Sequence, residues 1–152
     1  MINLVIISYD SASRFPFSPE LAPQTRKFLQ TVRDMEIKIA LLGDEDTHSL
    51  YGKLNRPNLG VFFNLVRGGC RDAGSSLRRA CLELLTARSA AFYIGTDPVW
   101  LNQAKVDEIF TMGFIDGPQS HSLIGSAKPD FMVSSMAEAV DIITTFAGQE
   151  NG

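Results

Sequence analysis

The chain has 152 residues, 45% of them hydrophobic and 20% charged, which suits one domain with its own core. Fourteen Lys and Arg against seventeen Asp and Glu give a net charge of −3. This balance argues against nucleic acid and anionic membrane as partners, because both require a basic face. No apolar run reaches the roughly 18 residues of a membrane span, and Met1 leads into an apolar segment without a basic leader. We therefore expect a soluble, cytoplasmic protein.

Six apolar runs of strand length are spaced along the chain. Most are almost continuously hydrophobic, which is typical of strands that are buried on both faces of a parallel sheet. The predicted strands span residues 2–7, 37–42, 60–66, 90–95, about 108–112, and 131–133.

Helical periodicity separates most of these strands. Ser18-Pro19-Glu20 has the composition of a helical turn, and Pro23 marks the start of the first long helix. Ser75 or Ser76 is placed to cap the clearest helix, and residues 117–126 are polar and glycine-containing, so we predict a mobile loop there. Two shorter helices are predicted, one ending near Leu54 and one spanning about 99–105. Three longer helices each have an apolar face, formed by Phe28, Leu29, Val32 and Met35; by Leu77, Ala80, Cys81, Leu84 and Leu85; and by Met136, Val140, Ile143 and Ala147.

The alternation of strands and helices predicts an α/β fold, a three-layer sandwich with a mainly parallel, Rossmann-like sheet. We find no repeat or linker, so residues 1–152 are interpreted as one domain. In such sheets the ligand crevice lies beyond the carboxyl ends of the strands. This rule directs attention to four segments, residues 8–10, 43–47, 68–71 and 95–97.

These four segments carry a recognisable order of residues. The first strand is followed by Ser8-Tyr9-Asp10-Ser11-Ala12, the second ends at Gly43, the third is followed by Gly68-Gly69-Cys70-Arg71-Asp72, and the fourth ends in Gly95-Thr96-Asp97-Pro98. In order and spacing the chain resembles the haloacid dehalogenase (HAD) superfamily, most of whose members are magnesium-dependent phosphatases. The resemblance extends from Leu4 to about Phe146 and implies a minimal HAD-like domain without a separate cap.

The resemblance assigns family positions to residues of this chain. HAD phosphatases form an aspartyl-phosphate on a nucleophilic aspartate, and here Ser8 occupies that position. Asp10 matches the general acid/base and, through its backbone, a metal ligand; Arg71 stands at the position of the phosphate-binding lysine. Gly43 stands where the family offers a hydroxyl to the phosphoryl group. Thr96 replaces the first metal-binding aspartate of the fourth motif, and Asp97 is shifted by one position.

The same residues have structural interpretations that the sequence leaves open. Asp10 is suited to cap the loop after the first strand, and Asp97-Pro98 to form a turn and helix start. Arg71 has Asp72 or Asp10 as candidate ion-pair partners. The carboxylates of residues 44–46 would either hold a cation or complement a helix dipole. Cys70 and Cys81 lack metal-ligand spacing, and His48 and His121 have no acidic or cysteine partners at such spacing.

The altered positions predict a HAD-like protein with an eroded active site, a pseudophosphatase that binds or assembles. The alternative is a divergent magnesium-dependent hydrolase that acts on a small phosphorylated substrate through Asp10, Arg71 and Asp97. A third hypothesis is a phospho-ligand sensor in which Arg71 and the amides after the first strand hold an anion. Cofactors are not predicted except Mg²⁺ under the alternative; the expected partner is an unknown protein or a small phospho-ligand, and a homodimer is possible.

Overall fold

Six parallel strands form one sheet in the computed structural model, which describes residues 2–55, 58–116 and 118–148. The strand order is β3-β2-β1-β4-β5-β6. The chain adds β2 and β3 on one side of β1 and then crosses over to add β4, β5 and β6 on the other side, so the strand order reverses between the neighbours β1 and β4. The point of reversal opens a crevice at the carboxyl ends of the strands. The strands are β1 Leu4–Tyr9, β2 Lys38–Gly43, β3 Leu65–Arg67, β4 Ala91–Gly95, β5 Phe110–Phe114 and β6 Phe131–Val133.

Six α-helices cover the two faces of this sheet. The helix side chains Phe28, Leu50 and Ile143 pack on one face of the sheet, and Leu77, Leu101 and Ile124 pack on the other. The predicted three-layer α/β sandwich is therefore confirmed. Of the described residues, no helix is long and apolar enough to cross a membrane. The helices are α1 Ala22–Asp34, α2 Thr47–Asn55, α3 Ala73–Glu83, α4 Pro98–Val106, α5 Pro118–Ser126 and α6 Met136–Gly148.

The third strand is shorter than predicted and begins later. Residues 60–66 were expected to be extended, but Gly60–Phe62 forms a single 3₁₀ turn whose Phe62 packs in the core. Extended pairing starts only after Asn64, whose backbone N–H donates to Ile39 O and whose Oδ1 accepts from Ile39 N. The apolar run is therefore divided between a packed turn and the strand Leu65–Arg67.

Other boundaries also differ from the sequence prediction. Ser8 and Tyr9 belong to β1 rather than to the following loop, and β5 begins at Phe110. Ser18–Glu20 forms a turn outside α1. The segment predicted to be a mobile loop contains α5, whose Ile124 is fully buried; residue 117 itself lies outside the described residues.

The predicted serine caps of α3 are wrong. The helix begins at Ala73, three residues earlier than a Ser75 N-cap would give, and Asp72 is its N-cap. The Asp72 side chain accepts a hydrogen bond of 2.9 Å from Ser75 N. This bond lowers the pKa of Asp72, because it stabilises the ionised carboxylate.

Candidate functional site

Four of the predicted site residues line one small cavity at the carboxyl ends of β1, β2 and β4. Ser8, Asp10, Gly43 and Asp97 surround about 70 Å³, together with Trp100 and neighbouring residues. The parallel sheet places them together because each follows or ends a strand at the same edge. These four residues therefore share one sheet edge, and their roles depend on the contacts that each one makes.

Ser8 is hydrogen-bonded to a buried phenol. Its Oγ lies 2.7 Å from Tyr93 Oη, and Tyr93 is fully buried while Ser8 is 7% exposed. Ile6 of β1 pairs with Tyr93 of β4, so the tyrosine lies on the same sheet face as Ser8 and reaches along that face toward it. The Ser8 hydroxyl is thus engaged inside the protein.

The absence of a side chain at Gly95 makes room for this phenol. A Cβ at Gly95 would overlap Tyr93 Oη and would lie 2.8 Å from Ser8 Oγ. The Tyr93 ring also stacks on Trp100, with the ring centroids 6.1 Å apart. Burial raises the pKa of Tyr93, the Ser8 hydrogen bond lowers it, and the charges of Asp97 and Asp10 raise it further. The phenol consequently remains protonated at neutral pH.

The Asp10 carboxylate is held by two hydrogen bonds. Oδ1 accepts from Ala12 N at 2.9 Å, and Oδ2 accepts from Thr96 Oγ1 at 2.7 Å. The first bond closes the turn after β1, as the structural interpretation of Asp10 expected. The second joins that turn to the end of β4. Asp10 therefore connects the two loops on either side of the strand-order reversal.

Asp97 and Gly43 each have a structural task at this edge. Asp97 Oδ1 accepts from Val99 N at 2.9 Å, which makes Asp97 the N-cap of α4. Gly43 is buried, its carbonyl accepts from Cys70 N at 2.9 Å, and a Cβ there would lie 2.9 Å from Leu50 Cδ2. Gly43 offers no hydroxyl to a ligand.

Arg71 is outside this cavity. It lies on the neighbouring, larger pocket of about 620 Å³, beside Arg67 and Arg79. Within the described part of the chain it forms no ion pair with Asp10 or Asp72, so neither expected pairing is made. The predicted site residues thus divide between two adjacent depressions.

The acidic segment after β2 acts as a helix start. Asp46 Oδ1 accepts from Ser49 N at 2.8 Å and Asp46 Oδ2 from Ser49 Oγ at 3.2 Å. These bonds, the backbone one first, lower the pKa of Asp46. Asp44 Oδ2 accepts from Ser11 Oγ at 3.1 Å. This segment favours the helix-start interpretation over a cation site.

No protein-family profile and no curated protein sequence matches the chain, whereas its backbone matches many solved structures. A haloacid dehalogenase-like hydrolase from Streptococcus pneumoniae superposes with a TM-score of 0.75 at 12% identity, covering 93% of this chain and 98% of that one. The cobalt-bound deoxy-D-mannose-octulosonate 8-phosphate phosphatase of Haemophilus influenzae gives 0.72 at 16% identity, covering 97% and 90%. The chain has the HAD-like fold.

A third structure shows that the length of HAD-like proteins varies. A predicted phosphoglycolate phosphatase from Haemophilus somnus superposes with a TM-score of 0.70 at 14% identity over 80% of this chain, which spans only 56% of that protein. Identities this low establish the fold, and the activity has to be argued from the site.

The HAD-like fold implies a divalent cation, but the donor set of this chain does not suit one. Mg²⁺ requires several hard oxygen ligands in near-octahedral geometry. Here Ser8 and Thr96 contribute hydroxyls rather than carboxylates beside Asp10, and an Asp97 oxygen is bonded to Val99 N. Across residues 2–55, 58–116 and 118–148, no group of three or more His, Cys, Asp or Glu side chains is placed to hold a metal.

Sequence reasoning missed Tyr93 as a site residue. It treated residues 90–95 as a buried strand, in which a tyrosine is ordinary core. The available signal was a polar aromatic residue two positions before Gly95, on the strand next to Ser8. Tyr hydroxyls that are buried usually require a partner, and Ser8 on that sheet face provides it.

Proposed function

We propose that this protein is a pseudophosphatase, a HAD-like fold that binds a ligand or partner without hydrolysing phosphate esters. The observation that carries the proposal is the buried hydrogen bond between Ser8 Oγ and Tyr93 Oη. A serine nucleophile needs an adjacent base that removes its proton. A protonated, buried phenol is not such a base, and the described histidines, His48 and His121, are exposed and do not line the cavity.

The size of the cavity supports the same conclusion. Sites for small molecules commonly enclose about 300–1,000 Å³, whereas the space around Ser8 and Asp10 is about 70 Å³. That volume holds a few water molecules, since one water requires only about 10–15 Å³ by this measure. The Tyr93 hydroxyl, seated over Gly95, occupies part of the space in front of Ser8.

A turnover assay tests the proposal. The purified full-length chain, incubated with Mg²⁺ and a panel of phosphomonoesters, is expected to release no phosphate above the buffer rate, because the nucleophile and two further family groups are altered. Asp10→Asn serves as the comparison. Robust turnover that this substitution abolishes would overturn the proposal, whereas turnover equal in both proteins would identify a contaminating phosphatase.

A second variant sharpens the same assay. Ser8→Asp returns the carboxylate at the nucleophile position but leaves Gly43, Arg71 and Thr96 as they are. Loss of a single catalytic group in other enzymes lowers the rate by about four to six powers of ten. Because such groups act together, returning one of them does not restore the rate while the others are missing. We expect Ser8→Asp to remain inactive with the same phosphomonoesters.

The competing hypothesis is a divergent magnesium-dependent hydrolase. In its favour, Ser8, Asp10 and Asp97 line one cavity. Against it, Asp97 caps α4, Asp10 bonds to Thr96, and Arg71 lies on the neighbouring pocket. We therefore retain the pseudophosphatase as the better-supported proposal, with a protein partner or a small phospho-ligand as what it binds.

A further inference from the structure

A second depression lies beside the Ser8 cavity and has the opposite electrostatic character. This pocket, which we call the arginine pocket, is an open depression of about 620 Å³ between the end of β3, the start of α2 and the first turns of α3. Its volume falls in the range of small-molecule sites. The residues that give it its chemistry are Arg67, Arg71, Arg79, Thr47, Ser75 and Ser76.

Two of the three arginines keep an uncompensated charge. Arg67 is neutralised by Glu83, at 2.7 Å. In contrast, neither Arg71 nor Arg79 contacts a carboxylate within residues 2–55, 58–116 and 118–148. Asp72 also borders the pocket, but its carboxylate caps α3 through Ser75 N. In a chain of net charge −3, this concave patch is therefore locally positive.

Hydroxyl donors stand beside these charges. Thr47 Oγ1 accepts from Gly68 N at 2.9 Å, which leaves its own O–H available to a ligand. The Ser76 hydroxyl lines the pocket and has no hydrogen bond in the described part of the chain. Guanidinium groups combined with hydroxyls are well suited to phosphate oxygens, which accept several charge-assisted hydrogen bonds.

The wall of the pocket is held in place before any ligand arrives. Three bonds join the turn after β3 to the loop after β2: Gly68 N to Thr47 Oγ1, Gly69 N to Glu45 O at 2.7 Å, and Cys70 N to Gly43 O. Gly68 is packed so closely that a Cβ would overlap Thr47 N and Glu45 O. This framework fixes the position of the Thr47 hydroxyl, so that hydroxyl loses less entropy when it binds a ligand.

We infer that the arginine pocket binds a small phosphorylated molecule, with Arg71 and Arg79 as its anion contacts. A phosphate group carries about −1.5 to −2 charges at pH 7, which matches the two uncompensated guanidiniums. This site is separate from the cavity at Ser8 and Asp10. The inference gives the phospho-ligand of the proposed function a site of its own, and it does not depend on the loss of hydrolysis, since an anion binds here whether or not the Ser8 cavity hydrolyses esters.

Calorimetric titration of the full-length protein with pyrophosphate, at low salt and without metal, tests the inference. The variants Arg71→Gln and Arg79→Gln alter exposed side chains and are expected to fold, as a thermal melt would verify. Each is expected to weaken binding about tenfold or more, because each removes charge-assisted contacts. Arg33→Gln, on α1 where its guanidinium lies over Phe62, removes the same charge elsewhere and should leave the affinity unchanged.

Asp10→Asn distinguishes the two depressions. An anion in the Ser8 cavity would be repelled by Asp10, so this variant would tighten binding there and leave binding in the arginine pocket unaltered. The inference is overturned by any of three results: no heat of binding, equal weakening by Arg33→Gln, or binding that responds to Asp10→Asn but not to Arg71→Gln and Arg79→Gln. None of these results bears on turnover, which is measured separately.

Discussion

The contribution of the hydrogen bond between Ser8 and Tyr93 to the free energy of unfolding can be measured. Because both side chains are buried, removing one hydroxyl leaves the other without a partner, at a cost of about 1–3 kcal/mol. Ser8→Ala and Tyr93→Phe should each lower the free energy of unfolding by that amount. The double variant removes both polar groups and should cost less than the sum, with a coupling of at least about 0.5 kcal/mol. Urea unfolding of the parent protein, the two single variants and the double variant gives the four free energies of this double-mutant cycle. Additive losses of stability would contradict the predicted coupling between the two hydroxyls.

At the scale of single residues, the sequence predicted position better than role. Ser8, Asp10, Gly43 and Asp97 were expected at one sheet edge, and they line one cavity. Their partners were not predictable, because Thr96 reaches Asp10 and Tyr93 reaches Ser8 across more than eighty residues of chain. Arg71 follows β3 as expected, yet it lines the arginine pocket instead of the Ser8 cavity.

At the scale of elements, the turn after β3 depends on a glycine. Gly68→Ala should destabilise the protein by about 2 kcal/mol or more, because its Cβ would overlap backbone atoms of the loop after β2, which have little freedom to shift. Gly52→Ala is the matched control. Gly52 lies in α2 with open space around it, so the same change should stabilise the protein by about 0.5–1 kcal/mol.

Denaturant midpoints of the two alanine variants check this prediction. If Gly68→Ala unfolded at the same urea concentration as the parent protein, the close packing of the β2 and β3 loops would be contradicted. A loss of stability in Gly52→Ala would instead argue that the surroundings of α2 are more crowded than described.

Element boundaries were predictable only where local pattern and tertiary packing agree. The stripe of α1 includes Phe28, Leu29 and Val32, and all three are buried. The segment of α5 has no comparable stripe, and its helix is anchored by Ile124 in the core under α4 and β5. The run 60–66 is apolar except for Asn64, and its division into a 3₁₀ turn and β3 depends on the bonds between Asn64 and Ile39, which no periodicity encodes.

At the scale of the whole molecule, the sheet was the most predictable feature. Continuous apolar strands such as β1 and β2 must be covered on both faces, and short right-handed connections allow few strand orders. The arginine pocket was not predictable in this way. It arises because residues 67, 71 and 79 are brought to one surface by the turn after β3 and the first turns of α3.

Stability at alkaline pH provides a test of the packing around β1. Burial and then the charges of Glu45 and Asp44 raise the pKa of Tyr9 from 10.0 to about 12 in the folded protein. Above pH 10 the unfolded chain releases this proton first, so the contribution of Tyr9 is fully present below pH 10 and is lost as the pH approaches 12. Urea midpoints should therefore fall across this interval.

Variants assign this alkaline loss to particular tyrosines. Tyr9→Phe cannot ionise and should show a shallower decline, measured relative to its own stability below pH 10. Tyr93→Phe should also flatten the decline, because burial raises the pKa of that phenol as well. A slope unchanged in Tyr9→Phe would mean that the folded protein does not resist ionisation at this position, and that the end of β1 is more open to water than its contacts with Phe17 and Lys53 indicate.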